Sequence, residues 1–382
     1  MTPAARYAAA IEVLDAMLGG SAAEPALLRW ARTHRFAGSK DRAALRDIVF
    51  SIDRRRGSCA AMGGSMTGRG LLRGYLAQEG IDEGAIFGSG PYAPEVAPND
   101  PQLTPWHELP QATRVDLQPW IWQRLQEDHG PNAAPIAEAL RHRAPVWLRV
   151  NTIKTSTEEV LTLLAAEGFD PSPDPDLPTA IQVRHSSRKL AQGDVITEGY
   201  AEFQDLGPQR ALALIDLPDG ATVLDFCAGG GGKSLALAAK GGKITAHDAD
   251  PRRMADLPAR AARAGAEIDI KTNIGTARFD MVVCDVPCSG SGAFRRATNG
   301  KWQLTEADLD HFLVKQREIV ATARAHLRPG GQLVYMTCSL FHAENEGQIP
   351  FLEESMKCTS QQTYTPQDGC DGFFVATFKQ TS

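Results

Sequence analysis

Two cysteines stand where covalent chemistry could be done. Cys288 lies in Asp285-Val286-Pro287-Cys288-Ser289-Gly290-Ser291-Gly292, and Cys338 in Thr337-Cys338-Ser339. Each follows an apolar run, MVVCDV (281–286) or QLVYMT (332–337), that reads as a strand. A thiol becomes a nucleophile only in a partly exposed, electropositive setting. Lys233 could supply it. That lysine closes a third segment, Asp225-Phe226-Cys227-Ala228-Gly229-Gly230-Gly231-Gly232-Lys233-Ser234, whose four consecutive glycines let backbone approach a ligand. A lone cysteine is by default a buried structural thiol. Cys59, Cys284, Cys358 and Cys370 are read that way. A zinc site would need more ligands at short spacing than Cys284-x3-Cys288 offers.

Three ligands compete for the glycine segment. A nucleotide P-loop needs Gly six residues before its Lys, and Cys227 is there instead. A dinucleotide loop needs G-x-G-x-x-G/A. Gly229-x-Gly231 leads to Ser234 and Gly230-x-Gly232 to Leu235, so that pattern fails too. The third is S-adenosylmethionine, whose ribose calls for a carboxylate at the end of the next strand. Asp248, in AHDAD, is at that place.

The elements that must position these residues alternate from about residue 207. ATVLDF (221–226), KITAHD (243–248), EIDIKT (267–272), MVVCDV and QLVYMT read as five strands. Helices are expected at KSLALAAK (233–240) and at 251–264, the latter disturbed by Pro258. Thr305 opens a long helix with Asp308 in the reciprocal place of a capping box. Its expected apolar face runs through Leu309, Phe312, Leu313, Ile319, Val320, Ala323 and Leu327, and Pro329-Gly330-Gly331 ends it. Such alternation predicts an α/β fold with a doubly wound, mostly parallel sheet. Ligands of such sheets bind beyond the carboxyl ends of the strands. Upstream, VWLRVN (146–151), 157–167, AIQVRH (180–185) and YAEFQD (200–205) read as strand, helix, strand and strand, a small α+β insert preceded by a helix near Trp120–Glu127. Residues 1–90 have helical spacing, and 89–112 hold six prolines and read as a linker. The expected domains are therefore 1–112, 113–205 and 206–382.

Composition agrees with an ordinary globular chain: 382 residues, 43% hydrophobic, 23% charged. No stretch approaches the ~18 apolar residues of a membrane span. The start, MTPAARYAAA, does not resemble a secretory signal, and seven unpatterned cysteines suit reduced thiols, so a cytoplasmic protein is expected. No obligate protein partner is evident. Net charge is −6, yet residues 1–75 hold 12 Lys+Arg against 6 Asp+Glu. A basic module on an acidic body is a plausible polyanion footprint.

DFCAGGGGKS, DVPCSGSG and TCS resemble the signature segments of RsmB-type (Nop/Sun) RNA cytosine-5 methyltransferases. VWLRVNTIK is similar to that family's RNA-binding insert and EFQDLGPQRA to the lead-in of its catalytic domain. AENEGQI and DGFFVA resemble its closing segments, so the likeness covers roughly 140–382. RFAGSKDRAALRDIVF is similar, less specifically, to the helical NusB-like module of the ribosomal-RNA members. The family usually has Ala-Pro where this chain has Gly229-Gly230. It also usually has an acidic residue after strand three, where this chain has Lys271-Thr272-Asn273-Ile274; Asn273 is the substitute available.

The resemblance implies a Rossmann-like, S-adenosylmethionine-dependent domain that methylates C5 of cytosine in RNA, most naturally small-subunit ribosomal RNA. It assigns the attacking thiolate to Cys338 and product release to Cys288, a choice the residues alone leave open. Asp285 is expected at the base's N3/N4 edge, best with a raised pKa. Lys233 is expected to orient the base. The cofactor would lie against Cys227, Ala228, Gly229, Gly230, Gly231, Gly232 and Lys233, with Asp248 on its ribose and Asp285 beside it. No metal is implied. Arg295-Arg296, Arg54-Arg55-Arg56 and Arg141/Arg143 are candidates for phosphate contacts. The rival readings are a transfer-RNA methyltransferase and a non-catalytic RNA-binding assembly factor on the same fold.

Overall fold

The computed structural model describes residues 1–184 and 187–380, with only the backbone of 187 and 188. His185, the expected end of a strand, lies outside the described residues. The chain divides into two compact units, Met1–Arg143 with Phe294–Leu304, and Ala144–Ala293 with Thr305–Ser382. No helix among the described residues is long and apolar enough to cross a membrane.

The first unit is helical. Helices Pro3–Leu18, Ala23–Thr33, Ser39–Arg54, Arg56–Gly63 and Gly68–Gln78 bury Val13, Leu14, Leu45, Val49, Ile52, Leu71, Leu72 and Leu76 in one core. Residues 113–143 pack with this unit, with helices Pro119–His129 and Ala133–Leu140. So does Phe294–Leu304, which the sequence reading left within the catalytic domain. Hydrogen bonds explain both. Gln118 Nε2 donates to the carbonyls of Lys301 and Leu304 at 2.8 and 2.9 Å. Trp302 Nε1 donates to Asp53 O at 3.0 Å, Thr298 Oγ1 to the Asp53 carboxylate, and Lys301 Nζ to Arg54 O.

This network corrects the expected phosphate contacts. Arg54 is buried and donates to Arg295 O at 2.8 Å. Arg141 is buried, held by Asp116 and Glu138. Arg55 and Arg56 are paired with Glu79 and Asp53. Arg295 is itself buried, while Arg143 is exposed in an ion pair with Asp47. Five of the seven candidate arginines are therefore structural, and Arg143 and Arg296 remain exposed.

The second unit begins with a four-stranded antiparallel sheet: β1 (Trp147–Val150), β2 (Asp170–Pro173), β3 (Ala180–Arg184) and β4 (Ala201–Phe203), in the order β2-β3-β1-β4. Helix Thr157–Ala166, opened by a Ser156–Glu159 capping box, covers it with Val160 and Leu164. The larger sheet comprises β5 (Thr222–Asp225), β6 (Lys243–Ala246), β7 (Ile268–Ile270), β8 (Phe279–Asp285), β9 (Leu327–Thr337), β10 (Met356–Tyr364) and β11 (Phe373–Gln380). Their order is β10-β11-β9-β8-β5-β6-β7. The run from β7 to β9 is parallel, and β11 pairs antiparallel with β9 and β10. This is the doubly wound Rossmann-like architecture expected. Alternation along the central strands sends Leu224, Val282, Cys284, Leu333 and Tyr335 into one core and Val223, Met281, Val283, Val334 and Met336 into the other.

Three details depart from the sequence reading. The helix capped by Thr305 and Asp308 stops at Arg324, and Leu327, expected on its apolar face, opens β9. Pro329-Gly330-Gly331 sits in an irregularity of the β8–β9 register instead. Pro258 does not disturb a helix over 251–264. A 3-10 turn, Pro251–Met254, precedes helix Leu257–Ala264, and Pro258 occupies its first turn, where no N–H is needed. The β10–β11 hairpin has no counterpart among the expected strands.

Lys301 generates a test. It has no exposed surface, and burial pulls its ammonium down to about 8 against the nearby Asp116 and Asp53 charges. The unfolded chain therefore holds that proton more tightly between about pH 8 and the ordinary 10.5. Folding is favoured as pH rises through that window, by up to ~3 kcal/mol. Lys301→Met should lose this rise, with the two proteins converging at the alkaline end. Urea denaturation across the window checks it.

Candidate active site

The site is built on the carboxyl ends of β5, β6, β8 and β9, where the strand order reverses between β5 and β8. Parallel pairing sets Asp225 beside Val283 and Asp285 beside Met336. All the connecting turns thus leave from one edge.

After β5 the chain enters the glycine segment. Gly229 and Gly231 take left-handed φ of 50° and 79°. A Cβ on Gly231 would fall 2.1 Å from Leu257 Cδ1, so both backbone and space exclude a side chain there. Asp248, buried after β6, accepts from Gly229 N at 3.0 Å and from Asp250 N at 3.0 Å. Arg253, half exposed, pairs with it at 3.1 Å. Each carboxylate oxygen has a further acceptor direction beyond its backbone N–H, the one that Arg253 occupies. Asp225 accepts from Ser234 Oγ at 2.6 Å, and its other oxygen is buried without a partner. Burial, with the fields of Asp285 and Asp248 adding to it, pushes Asp225 up to about 6. Burial and the same three carboxylates raise the Cys227 thiol. Three carboxylates thus lie around the glycine loop, Asp248 paired with Arg253 and Asp285 with Lys233, while Arg260 donates to Gly230 O.

Lys233 reaches from the loop to Asp285 at 2.5 Å, and its ammonium lies 5.5 Å from the Phe373 ring centre. Burial opposes its charge, but Asp285 outweighs that and its pKa lies above the ordinary value, with Cys338 adding a smaller push. Cys338 thus faces a cation, as a reactive thiol requires. Cys288 Sγ and Cys338 Sγ are 3.4 Å apart, half-buried and unbridged. The turn after Cys288 is glycine-bound for a steric reason: a Cβ on Gly292 would meet Gly372 O at 2.1 Å.

The expected residues are thus brought together: Cys227 to Lys233 with Asp248 around the loop, and Asp285, Cys288 and Cys338 at the neighbouring ends. Of the cysteines read as structural, Cys59, Cys284 and Cys370 are fully buried and Cys358 is half-buried. Asn273 does not present its carbonyl oxygen, which accepts from Gly275 N at 2.9 Å in its own turn. Glu344 and Gln316 were missed. Glu344 is a fully buried carboxylate beneath the two thiols, six residues past Cys338 in AENEGQI. Its nearness to TCS in sequence was the available signal.

Residues 212–379 match the family model described as 16S rRNA methyltransferase RsmB/F, and residues 118–188 its ferredoxin-like domain. These two matches place residues 118–188 and 212–379 in the RsmB/F methyltransferase family. Ribosomal RNA small subunit methyltransferase B of Pectobacterium carotovorum is 31% identical over 278 residues, covering 67% of this chain and 65% of that protein. Its namesake in Salmonella arizonae is 32% identical over 279, with the same coverage. The chain thus spans 65% of the length of the curated relatives it matches. Among solved structures, PH0851 has a TM-score of 0.77 at 21% identity, covering 100% of this chain and 99% of that one. NSun6 from Pyrococcus horikoshii with SFG has 0.63 at 19%, covering 69% and 98%. At those identities the likeness shows a shared fold and nothing more.

The RsmB/F loop makes adjacent glycines unequal. Gly231→Ala should cost roughly 2–4 kcal/mol, from a left-handed residue plus the Leu257 clash. Gly232→Ala, with no atom within 4 Å of its Cβ, should be neutral or slightly stabilising. Denaturant midpoints of the two variants check the contrast.

Proposed function

We propose that this chain methylates C5 of cytosine in RNA, with S-adenosylmethionine as donor and small-subunit ribosomal RNA as substrate. The observation that carries the reading is the contact of two thiols at 3.4 Å, on the ends of β8 and β9, beside a Lys233–Asp285 pair. A lone structural cysteine has no use for such company. The RsmB/F domains and the names of the relatives support the same reaction and the same class of RNA.

The loop fits the donor. Three carboxylates, Asp225, Asp248 and Asp285, converge on it, and a sulfonium is a cation. Asp248 would hold the ribose hydroxyls, and the Cys227–Gly232 backbone would line the rest. When bound, S-adenosylmethionine supplies an electrophilic methyl group. The chain's own residues make cytosine able to take it. Cys338, as thiolate, adds to C6, and the electron pair released makes C5 enamine-like. Asp285 and Lys233 hold the base, Asp285 at the N3/N4 edge, where negative charge develops. After methylation the C5 proton leaves and the Cys338–C6 bond breaks, with Cys288 assisting release. The base must be unpaired or flipped to reach these groups. The N-terminal unit is proposed as a NusB-like RNA-binding module, acting in the cytoplasm.

Two experiments test this. Cys338→Ala should abolish methyl transfer from labelled donor and form no adduct. Cys288→Ala should accumulate a protein–RNA adduct that survives denaturing electrophoresis. Adduct in the first variant and none in the second would reverse the roles. Transfer to purified transfer RNA but not ribosomal RNA would replace the substrate. Separately, Asp248→Asn should weaken binding of S-adenosylhomocysteine by ~1.5–3 kcal/mol, a charged hydrogen bond's worth. Calorimetry showing unchanged affinity would remove Asp248 from the donor site.

A further inference from the structure

The turns that carry Cys288 and Cys338 are tied to each other and to one carboxylate. Gly292 N donates to Cys338 O at 3.0 Å, and Leu340 N to Ser291 Oγ at 2.8 Å. Beneath them lies Glu344, with no exposed surface. Its Oε1 accepts from Ser289 N at 2.8 Å and from Gln316 Nε2 at 2.9 Å. Its Oε2 accepts from Ser289 Oγ at 2.5 Å and Ser339 Oγ at 2.6 Å. Gln316, also buried, donates to Pro287 O at 3.1 Å. The residues on both sides of Cys288 and the residue after Cys338 therefore end on one hydrogen-bonded hub.

A buried carboxylate costs much unless donors replace its water. Here four donors do so, and all of them belong to, or hold, the cysteine turns. An apolar side chain could fill that space for stability alone. It could not fix the two turns in register. We propose that Glu344 is the positioning residue of the thiol pair, holding the Cys288 and Cys338 turns as one rigid unit. The proposal rests on the methyltransferase reading for its purpose, but not for its geometry. A hydrogen bond that the Cys288 thiol donates to Cys338, together with burial and the charges of Cys338 and Glu344, holds that thiol well above the ordinary range. That agrees with Cys288 keeping its proton while Cys338 attacks.

The chemistry of the hub predicts which substitution is tolerated. Oε2 faces two hydroxyls, which can turn from donating to accepting. Oε1 faces two N–H groups, which still need an oxygen. Glu344→Gln satisfies all four partners with its oxygen at the Oε1 place and its amide at the other. Glu344→Ala satisfies none.

The test uses the full chain and three readouts. The first is affinity for S-adenosylhomocysteine, which reports fold and donor loop. The second is single-turnover methyl transfer to RNA. The third is the rate at which diamide oxidises Cys288 and Cys338 to a disulfide, without RNA or donor. In that step the two thiols lose two protons and two electrons, and diamide becomes the hydrazine. For Glu344→Ala we expect affinity within about twofold of the parent, disulfide formation slowed at least tenfold, and methyl transfer reduced about 100-fold, the usual effect of misplacing a reacting group by about 1 Å. Glu344→Gln should recover at least tenfold of the lost methyl transfer and a normal oxidation rate. If the alanine variant does not fold, Ser289→Ala, which removes one donor of four, should show the same losses at about threefold. Oxidation at the parental rate in Glu344→Ala, or in Ser289→Ala where that is the variant that folds, would overturn the proposal. So would a glutamine variant as impaired as the alanine one. A parent chain that moves no methyl group, but whose thiol oxidation depends on Glu344 as stated, would contradict the proposed function and uphold the positioning role.

Discussion

The register of three parallel strands is the constraint on which the site depends. β5, β8 and β9 are aligned so that Asp225 lies beside Val283 and Asp285 beside Met336. In a parallel sheet every carboxyl end opens on the same edge. Residues as distant in sequence as Lys233, Asp285 and Cys338 are thereby gathered at one edge. The register is itself enforced by burial on both faces. Leu333 and Tyr335 fill one core, Val334 and Met336 the other. A one-residue slip of β9 would exchange the two sets and turn Cys338 away from Cys288.

On that frame charge does the sorting. Three carboxylates surround the glycine loop, and one lysine stands between them and the thiols. The acidic side suits a cationic donor. The lysine side suits a thiolate and a base that gains negative charge. In the proposed reaction the two halves are complementary, with Lys233 the cation whose charge couples to both Asp285 and Cys338. The hub at Glu344 then adds geometry, since it binds the neighbours of both sulfurs at once.

What could be read from the chain follows from where the information is stored. The loop, Asp248, Asp285 and the two cysteines are legible because each sits in a short segment at the end of an apolar strand. The Thr305–Asp308 cap is legible for a similar reason: it is a local hydrogen-bond pattern. The β10–β11 hairpin was not, because its strands are recognisable only by pairing with β9, a long-range event. Arg54 and Arg141 read as candidates for RNA contact because a guanidinium looks alike whether it meets phosphate, a buried carbonyl as Arg54 does, or a buried carboxylate as Arg141 does with Asp116. That Phe294–Leu304 packs with the helical unit was not legible, because its partners, Asp53, Arg54 and Gln118, come from the opposite end of the chain. Glu344 was overlooked because a carboxylate in a turn normally faces water, and only the converging serines show that this one does not.

The proposed activity of this edge of the sheet is methylation of cytosine in small-subunit ribosomal RNA. Bisulfite sequencing of RNA from cells with and without the gene tests it most directly. The account predicts a cytosine of the small-subunit RNA that resists conversion in the parent and converts fully in the deletion. Identical conversion at every ribosomal cytosine in the two strains would contradict it.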